Sequence, residues 1–513
     1  MPVEDLAELV AQAAQESPDG VALVEASAGD TGRRVTWAEL DDEVARVATG
    51  LGRLGVVAPQ RVLTCLGNRL EHVSVYLGIL RAQAVAVPVN PGSSAADLAR
   101  MVADSGARVV VADADTVGRV REALAGASVR AVVVGAETAP GETSYDELRA
   151  ERGPATPPLP DPEKLAALLF TAGATGLPRA AMLTHRALLA NLDQVAAVEP
   201  PMMHGDDVVL CVLPLFHVYA LNGVLGSVLR SRCRMVLAER FHPEGTLEVV
   251  EREGCTVVPA APPVFAHWLG AERLRERLAS VRLMLSGSAP LAGEVITAFQ
   301  ELTGIPVHQG YGLTEAAPVV TSTLVSNDPV PGSLGAPLPG VEVRIVDETG
   351  AEAGEDPGEI QVRGANLFSG YWPDGADGPG PDGWWATGDV GYLSPDGDLS
   401  LVDRVGELVV VSGFNVYPSE VEAVIGDLPG VAEVAVIGVE DPDSGSAVVA
   451  YVVAPGMADA EHAVRRHCAE RLARFKQPSR IEVVDRLPVT VTGRVEKGRL
   501  RLIERRRALG LVE

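Results

Sequence analysis

The sequence predicts an α/β protein with a large N-terminal domain, built from two βα-layered subdomains plus a small β-barrel, and a small α/β C-terminal domain. Three observations predict it. Short β-rich runs alternate with helical stretches in two successive series up to about residue 320, the pattern of βα units around a largely parallel, buried sheet. From about residue 333 to Arg404 the texture changes to short strands separated by Gly, Pro and Asp turns, as in a small antiparallel sheet or barrel. After Arg404 the α/β pattern returns for about 110 residues, enough for a separate small domain.

The elements follow in order. In "RVTWAELDDEVARVATGLGRLG", Thr36 and Glu39 form a capping-box signature, and Leu40, Val44, Val47, Leu51 and Leu54 lie at helical spacing. The runs "RVLTCLGN", "AVAVPVN", "ARVVVADAD" and "VRAVVVGAE" read as strands, with "SSAADLARMVADSG" as an intervening helix. A second series starts at "DVVLCVLPLF". The small sheet takes "GVEVRIVDETG", "GEIQVRG" and "GDLSLVDR", and "WPDGADGPGPDG" is a loop. The C-terminal part takes "PSEVEAVIGDL", "VAEVAVIGV", "SAVVAYVVAP", "EHAVRRHCAERLARF" and "SRIEVVD". There is no internal repeat.

Composition narrows the function. The chain has 513 residues, 47% of them hydrophobic, which leaves ample apolar surface for large cores. Its formal charge of -26 opposes binding to nucleic acid or anionic lipid, so a recognised phosphate is small and locally held. The basic run "GRLRLIERRR" is the exception and reads as a solvated end. Five widely spaced cysteines without a CxxC pair indicate neither a disulfide framework nor a zinc site, and a reducing cytoplasm fits. The N-terminal segment does not read as a signal peptide, and no run approaches the length of a membrane span. Lysine occurs only at Lys164, Lys476 and Lys497, the other 40 basic residues being arginine.

Four stretches carry possible chemistry. "LLFTAGATGLPRAAMLTH" reads as a strand, a Gly-rich turn and a helix start at "THRALLANL", an arrangement that points backbone N–H groups at an anion. It lacks the Walker lysine, and such a turn alone is more often structural. "HQGYGLTEAAP" sets Thr314 and Glu315 after a glycine turn, where a carboxylate can hold Mg²⁺ against phosphate, or can be simply solvated. "WWATGDVGYL" puts Asp389 in a turn between strands, placed to accept from a ribose diol or to stabilise the turn. "LVDR" offers Arg404 to phosphate or ribose, or to a surface ion pair.

In this order, with "GFNVYPSEVE" and "PVTVTG" following, these motifs resemble the adenylate-forming superfamily over residues 20–505. "LPLFHVYALN", "GEIQVRG" and "SGFNVYPSEVE" look most like the acyl-CoA ligases, particularly 4-coumarate-type ligases. The resemblance implies an N-terminal AMP-binding domain (1–403) and a mobile C-terminal domain (404–513) hinged at Arg404, Val405 and Gly406. It also implies two steps: a carboxylate and Mg·ATP give acyl-AMP and pyrophosphate, then the thiol of CoA displaces AMP. By motif, Thr171, Ala172, Gly173, Ala174, Thr175, Gly176 and Arg179 handle phosphates. Gly287, Ser288, Ala289, Gln309, Gly310, Tyr311 and Gly312 surround the adenine and acyl group. Thr314 and Glu315 hold phosphate and metal, and Asp389 and Arg404 the ribose. His217 stands at the mouth of an acyl pocket shared by Tyr219, Gly223, Gly312 and Leu313, although a lone histidine in an apolar stretch is more often core. Gly413, Phe414 and Lys476 serve CoA.

The chain departs from the family where lysine is expected. Arg494 stands in "VTGRVEK" at the position of the adenylation lysine, and Arg179 replaces lysine in the first loop. Ala172 and Ala174 stand where hydroxyls are common, and Gly406 and Ser412 also occupy lysine positions of related ligases. An arginine-biased composition accounts for charge-conserving changes but not for the lost hydroxyls, and a planar guanidinium does not replicate a point ammonium. Removing one preorganised contact to developing charge costs about 10²–10³ in rate. The expectation is therefore an enzyme that turns an acyl-adenylate and CoA into acyl-CoA and AMP, with its own adenylation impaired or absent and the adenylate supplied by a companion adenylating ligase. A complete ATP-dependent synthetase, using Arg494 or Lys497, and a non-catalytic adenylate or CoA binder are the alternatives. Gly223, Gly226 and the scarcity of aromatics around "PAAPPVFAHW" suggest a roomy pocket for a bulky or hydrophobic acid.

Overall fold

A computed structural model describes residues 3–27, 29–154, 159–172, 178–330, 332–347, 349–354, 356–404, 409–411, 414–441, 445–457, 459–490 and 495–508. The chain forms two compact units, one of Met1–Glu342 with Val362–Trp385 and one of Val343–Gln361 with Ala386–Glu513. The small sheet expected at the end of the N-terminal domain thus groups largely with the C-terminal residues.

The first unit holds two seven-stranded sheets of like design. In the first, 143–144, 130–134, 109–113, 61–65, 85–88 and 165–172 run parallel in that spatial order, and 178–184 closes the edge antiparallel. In the second, 307–309, 283–286, 257–260, 208–211, 234–238 and 21–27 run parallel, and 30–36 closes the edge antiparallel. The inner parallel strands are rich in Val and Ala or Leu and buried on both faces, as parallel strands covered by helices must be. The capping box forms: the Glu39 N–H donates to Thr36 Oγ1 at 3.2 Å, and the Thr36 N–H donates to the Glu39 carboxylate at 2.8 Å. The helix Trp37–Arg53 buries Leu40, Val44, Val47 and Leu51, and Leu54 caps its end half-buried.

The stretch around the Gly-rich turn differs from expectation. Residues Pro178–Thr184 form a strand antiparallel to Leu165–Ala172, and the helix His185–Ala196 begins only after it, capped by Thr184. A seven-residue strand is about 20 Å long, so the helix N-terminus lies at the far end of the hairpin from the turn and does not point at an anion there. "PRAAMLT" pairs as a strand because its run "AAML" is buried at the sheet edge. The base of this hairpin is clamped. Lys164 Nζ donates to Asp5 at 2.9 Å and to Gln83 Oε1 at 2.7 Å, the His185 N–H donates to the Lys164 carbonyl, and the Leu6 N–H donates to His185 Nδ1 at 3.0 Å.

The second unit contains most of the four-stranded sheet Val341–Val346, Gly358–Gly364, Trp385–Leu393 and Leu399–Arg404. It also contains a hairpin of 409–411 with 414–416 and a three-stranded sheet of Glu433–Asp441, Gly445–Val453 and Arg480–Val483. The basic end is not merely solvated. Lys497–Ala508 is a helix whose Leu500 joins a core with Ala435, Ile437 and Val449. Glu504 is buried and bonded to Tyr451 and Arg480, and Arg507 reaches Glu482 at 3.0 Å. Leu500 and Glu504 lie one helical turn apart, which turns that face inward.

All five cysteines are free and buried. Among the described residues no helix is long and apolar enough to cross a membrane.

Candidate active site

In the first unit the site is organised by a short 3₁₀ turn, Thr314–Ala316, behind the strand Val307–Gln309. Two glycines before it allow close backbone approach. A Cβ on Gly310 would lie 2.2 Å from the Thr321 carbonyl oxygen, and one on Gly312 2.5 Å from that of Pro318. Glu315 is 7% exposed. Its Oε1 accepts from the Tyr371 hydroxyl at 2.7 Å and from Thr171 Oγ1 at 3.4 Å, and its carbonyl accepts from the Phe368 N–H at 2.9 Å. Burial and the neighbouring Glu315 charge push the Tyr371 phenol well above its ordinary pKa, so it remains a donor.

Among the described residues Glu315 has no ion pair. A buried carboxylate held by neutral donors, beside a threonine hydroxyl, offers hard oxygen ligands without a resident cation. That donor set fits Mg²⁺, which takes one or two carboxylates and completes its shell with water and substrate phosphate.

The residues expected at an acyl pocket fall on an eight-residue π-helix, Tyr219–Gly226, a form that is often found at functional sites. His217 precedes it; its N–H donates to the Pro214 carbonyl, its own carbonyl accepts from Leu221, and its ring packs on Phe216. Burial lowers the imidazole pKa, so His217 is neutral at physiological pH. Asn222 Nδ2 donates to the carbonyls of Leu188 at 3.1 Å and Ala317 at 2.7 Å, tying this helix to the residues just after Glu315.

The glycines here do not open a pocket. A Cβ on Gly223 would meet the Tyr219 ring at 2.9 Å, and one on Gly226 would meet Asn222 Oδ1 at 2.6 Å and Leu192 at 3.0 Å. The space they vacate is filled by the protein, so they give no sign of a roomy cavity. Gly287 faces the same ring, its Cβ position lying 2.7 Å from Tyr219. Ser288 beside it is exposed and left-handed, at φ 72. The Gln309 side chain is spent within the protein, donating to the Ser333 carbonyl at 2.8 Å and accepting from the Leu291 N–H at 3.1 Å.

In the second unit Asp389 lies within the strand Trp385–Leu393, not in a turn between strands. Gly388 takes the left-handed conformation, and a register shift follows Val390, which lets a Gly-Asp pair sit inside a continuous strand. Asp389 is buried and stands opposite Arg404 in the antiparallel register. Lys476 Nζ donates to both carboxylate oxygens of Glu420, at 2.6 and 2.7 Å. Lys497 pairs with Glu422 at 2.8 Å, and Glu422 also accepts from the Val436 N–H. Gly173, Ala174, Thr175, Gly176, Val405, Gly406, Ser412, Gly413 and Arg494 lie outside the described residues, as do the side chains of Ala172, Arg404 and Phe414.

Tyr371 and Phe368 were missed in the sequence. Their link to Glu315 spans more than 50 positions, and only the aromatic run "LFSGYW" beside the loop could have drawn notice.

Residues 10–372 match the family model of AMP-binding enzymes, and residues 420–494 match that of the AMP-binding enzyme C-terminal domain. The chain belongs to this family of adenylate-forming enzymes and acyl-CoA ligases. It is 35% identical to 4-coumarate–CoA ligase 5 of Oryza sativa subsp. japonica, over 92% of this chain and 90% of that one. Its fold matches ATP-bound MatB from Rhodopseudomonas palustris with a TM-score of 0.88 at 32% identity, covering 97% of this chain and 98% of that chain. It also matches the anthranilate CoA ligase AuaEII in complex with anthranoyl-AMP, with a TM-score of 0.85 at 25% identity, covering 97% of both chains.

Proposed function

We propose that this ligase works chiefly as a thioesterifying enzyme, converting an acyl-adenylate and CoA to acyl-CoA and AMP, with its ATP-dependent adenylation slow or absent. The supporting observation concerns its lysines. Each of the three is engaged within the fold, Lys164 with Asp5, Lys476 with Glu420 and Lys497 with Glu422, while arginine stands at both motif positions where the family uses lysine. Lys497 would have to abandon a 2.8 Å ion pair to substitute for the adenylation lysine.

In this reading Gly287, Ser288, Ala289, Tyr311 and Gly312 line the adenine and acyl subsites. Asp389 and Arg404 hold the ribose, and Glu315 with Thr171 and Thr314 faces phosphate. Mg²⁺ at Glu315 would supply charge neutralisation to a bound triphosphate. Neutral His217, anchored by its backbone with its ring at the pocket mouth, leaves room for the thiol on approach. The thiol gives up its proton to solvent, its sulfur forms a bond to the acyl carbon, the bond from that carbon to the phosphate oxygen breaks, and AMP departs. The small domain turns about Arg404, Val405 and Gly406, with Gly413 and Phe414 bordering the pantetheine path. Such a turn must break the 2.5 Å hydrogen bond from Ser419 Oγ to the Val402 carbonyl. The compartment is cytoplasmic, and a companion ligase supplies the adenylate.

A pair of assays tests this. Given a synthetic acyl-AMP and CoA, the protein should form acyl-CoA readily. Given the matching acid, shown independently to bind, with ATP and Mg²⁺, it should exchange pyrophosphate at least ~10²-fold more slowly than its thioester step. Arg494→Lys should recover part of that deficit. Rapid exchange by the unmodified chain would instead establish an ordinary ligase that uses arginine, and failure to turn over acyl-AMP would leave a binding protein.

A further inference from the structure

We propose that Tyr371, with Arg179 stacked on its ring and Asp377 behind the arginine, is the positioning unit for the Glu315 carboxylate, and that Arg179 acts on the site through Tyr371 rather than by touching phosphate. This rests on the reading of Glu315 as the carboxylate that faces metal and phosphate.

A single segment grips Glu315 twice. Ser369, Gly370 and Trp372 pair along the edge of the strand Pro178–Thr184: the Ser369 N–H donates to the Met182 carbonyl at 2.9 Å, the Met182 N–H to Gly370 at 3.0 Å, and the Trp372 N–H to Ala180 at 2.8 Å. Gly370 makes the tight turn possible, with φ 83 and a Cβ position 2.1 Å from the Gly375 carbonyl oxygen. From that segment the Phe368 N–H holds the Glu315 carbonyl and the Tyr371 hydroxyl holds Oε1. The Phe368 ring stands edge-on to Tyr371 with centroids 5.0 Å apart. An O–H donor 2.7 Å from a carboxylate is a strong, directional bond. The Tyr371 hydroxyl anchors Oε1, and Oε2 has no hydrogen bond among the described residues.

Arg179 supplies the outer layer. Its guanidinium carbon lies 3.8 Å from the centroid of the Tyr371 ring, and its Nη1 lies 2.8 Å from Asp377 Oδ2. A planar guanidinium covers a phenol face in a way that a point ammonium does not. Arginine is therefore suited to this position as a lid on Tyr371. The pair with Asp377 is substantially exposed, with side chains 37% and 71% accessible, so its effect is on placement and not on stability.

The test measures ATP and AMP affinity calorimetrically on the full chain, with and without Mg²⁺, and Mn²⁺ binding in the presence of ATP by electron paramagnetic resonance. The readout is the factor by which Mg²⁺ tightens ATP. Tyr371→Phe keeps the ring and should cut that factor about 10–100-fold, the worth of one hydrogen bond to a charged group, while AMP affinity, which needs no metal, changes far less. Arg179→Ala should cut it about 2–3-fold, the worth of a part-exposed cation–π contact, and Arg179→Lys by less. A wild-type Mg²⁺ factor in Tyr371→Phe, or an equal loss for ATP and AMP without a metal-specific component, overturns the inference. Glu315→Gln separates the two readings. If it abolishes the Mg²⁺ factor while Tyr371→Phe does not, only the positioning role fails. If it leaves the factor unchanged, or if the wild-type chain shows none, the assignment of Glu315 fails and this role with it.

Discussion

Glu315 in the first unit and Lys497 in the second are both charges largely withdrawn from water, and they end in opposite situations. Lys497, with its side chain 14% exposed, finds its counterion inside the fold in Glu422. Glu315, 7% exposed, finds only neutral hydroxyl donors among the described residues. A charge removed from water without a counterion is unfavourable unless something else supplies one. A neutralised buried charge therefore marks scaffold, and one left to neutral donors marks a place where a cationic ligand belongs. The three lysines fall on the scaffold side of that criterion, each paired with a carboxylate of the fold.

The largest expected effect tests the units against each other by acid. His72 and His185, both in the first unit and essentially without exposure, are held neutral, burial lowering each pKa to about 4. Above pH 6.5 they are neutral folded or unfolded and cost nothing. Between pH 6.5 and 4 the unfolded chain binds protons that the folded chain refuses, so stability falls as pH falls, by up to roughly 3 kcal/mol for each histidine. Hydrogen exchange followed from pH 7 to 4 should show the first unit losing protection ahead of the second, and His72→Gln should flatten that slope. Simultaneous loss in both units would mean that general carboxylate protonation dominates.

Next in size is the Lys497–Glu422 pair. Glu422→Ala removes the counterion of a mostly buried ammonium and the acceptor of the Val436 N–H, and should destabilise the second unit by roughly 3 kcal/mol. Lys497→Met should cost less, because an apolar stem replaces the charge and Glu422 keeps its backbone donor. Denaturant melts of both variants check the order. The comparison breaks if Lys497→Met melts normally but abolishes pyrophosphate exchange, since Lys497 would then be working as a catalytic ammonium.

Much of this contrast could be read in advance from local pattern, and the rest could not. The four runs at 61–65, 85–88, 109–113 and 130–134 are strands of one parallel sheet, legible because buried parallel strands are continuously apolar. The capping box at Thr36 was legible because it is set by spacing alone. The strand Val21–Ser27, in contrast, pairs with Arg234–Ala238 more than 200 residues away, a partner no local pattern reveals. The motif order located Glu315 and Asp389 but not what holds them. It left "PRAAMLT" unassigned between the turn and the helix because a short apolar run has no decisive period, and only the pairing with Leu165–Ala172 decides it. It read Gly223 and Gly226 as open space because a glycine's use depends on what faces it, here Tyr219, Asn222 and Leu192.

The smallest expected effect concerns strain. Ser288 and Arg232 are both non-glycine residues in the left-handed region, at φ 72 and φ 58. Arg232 caps the helix Ser227–Ser231, where that conformation serves helix termination, and its pair with Glu16 is exposed. Ser288 follows Gly287 in the loop after the strand Leu283–Ser286, with no helix to end. Strain that no local structure requires is characteristic of binding loops. Glycine relieves it at either position, so Ser288→Gly and Arg232→Gly should each raise stability by roughly 0.5 kcal/mol, measured by denaturant midpoint. Their effects on ligand should differ. Arg232→Gly should leave AMP affinity unchanged, while Ser288→Gly should weaken it about 3–10-fold, because a freed loop must be ordered again on binding and a hydroxyl is lost. Unchanged AMP affinity in Ser288→Gly would remove the loop from the nucleotide site and leave its strain a consequence of packing Gly287 against the Tyr219 ring.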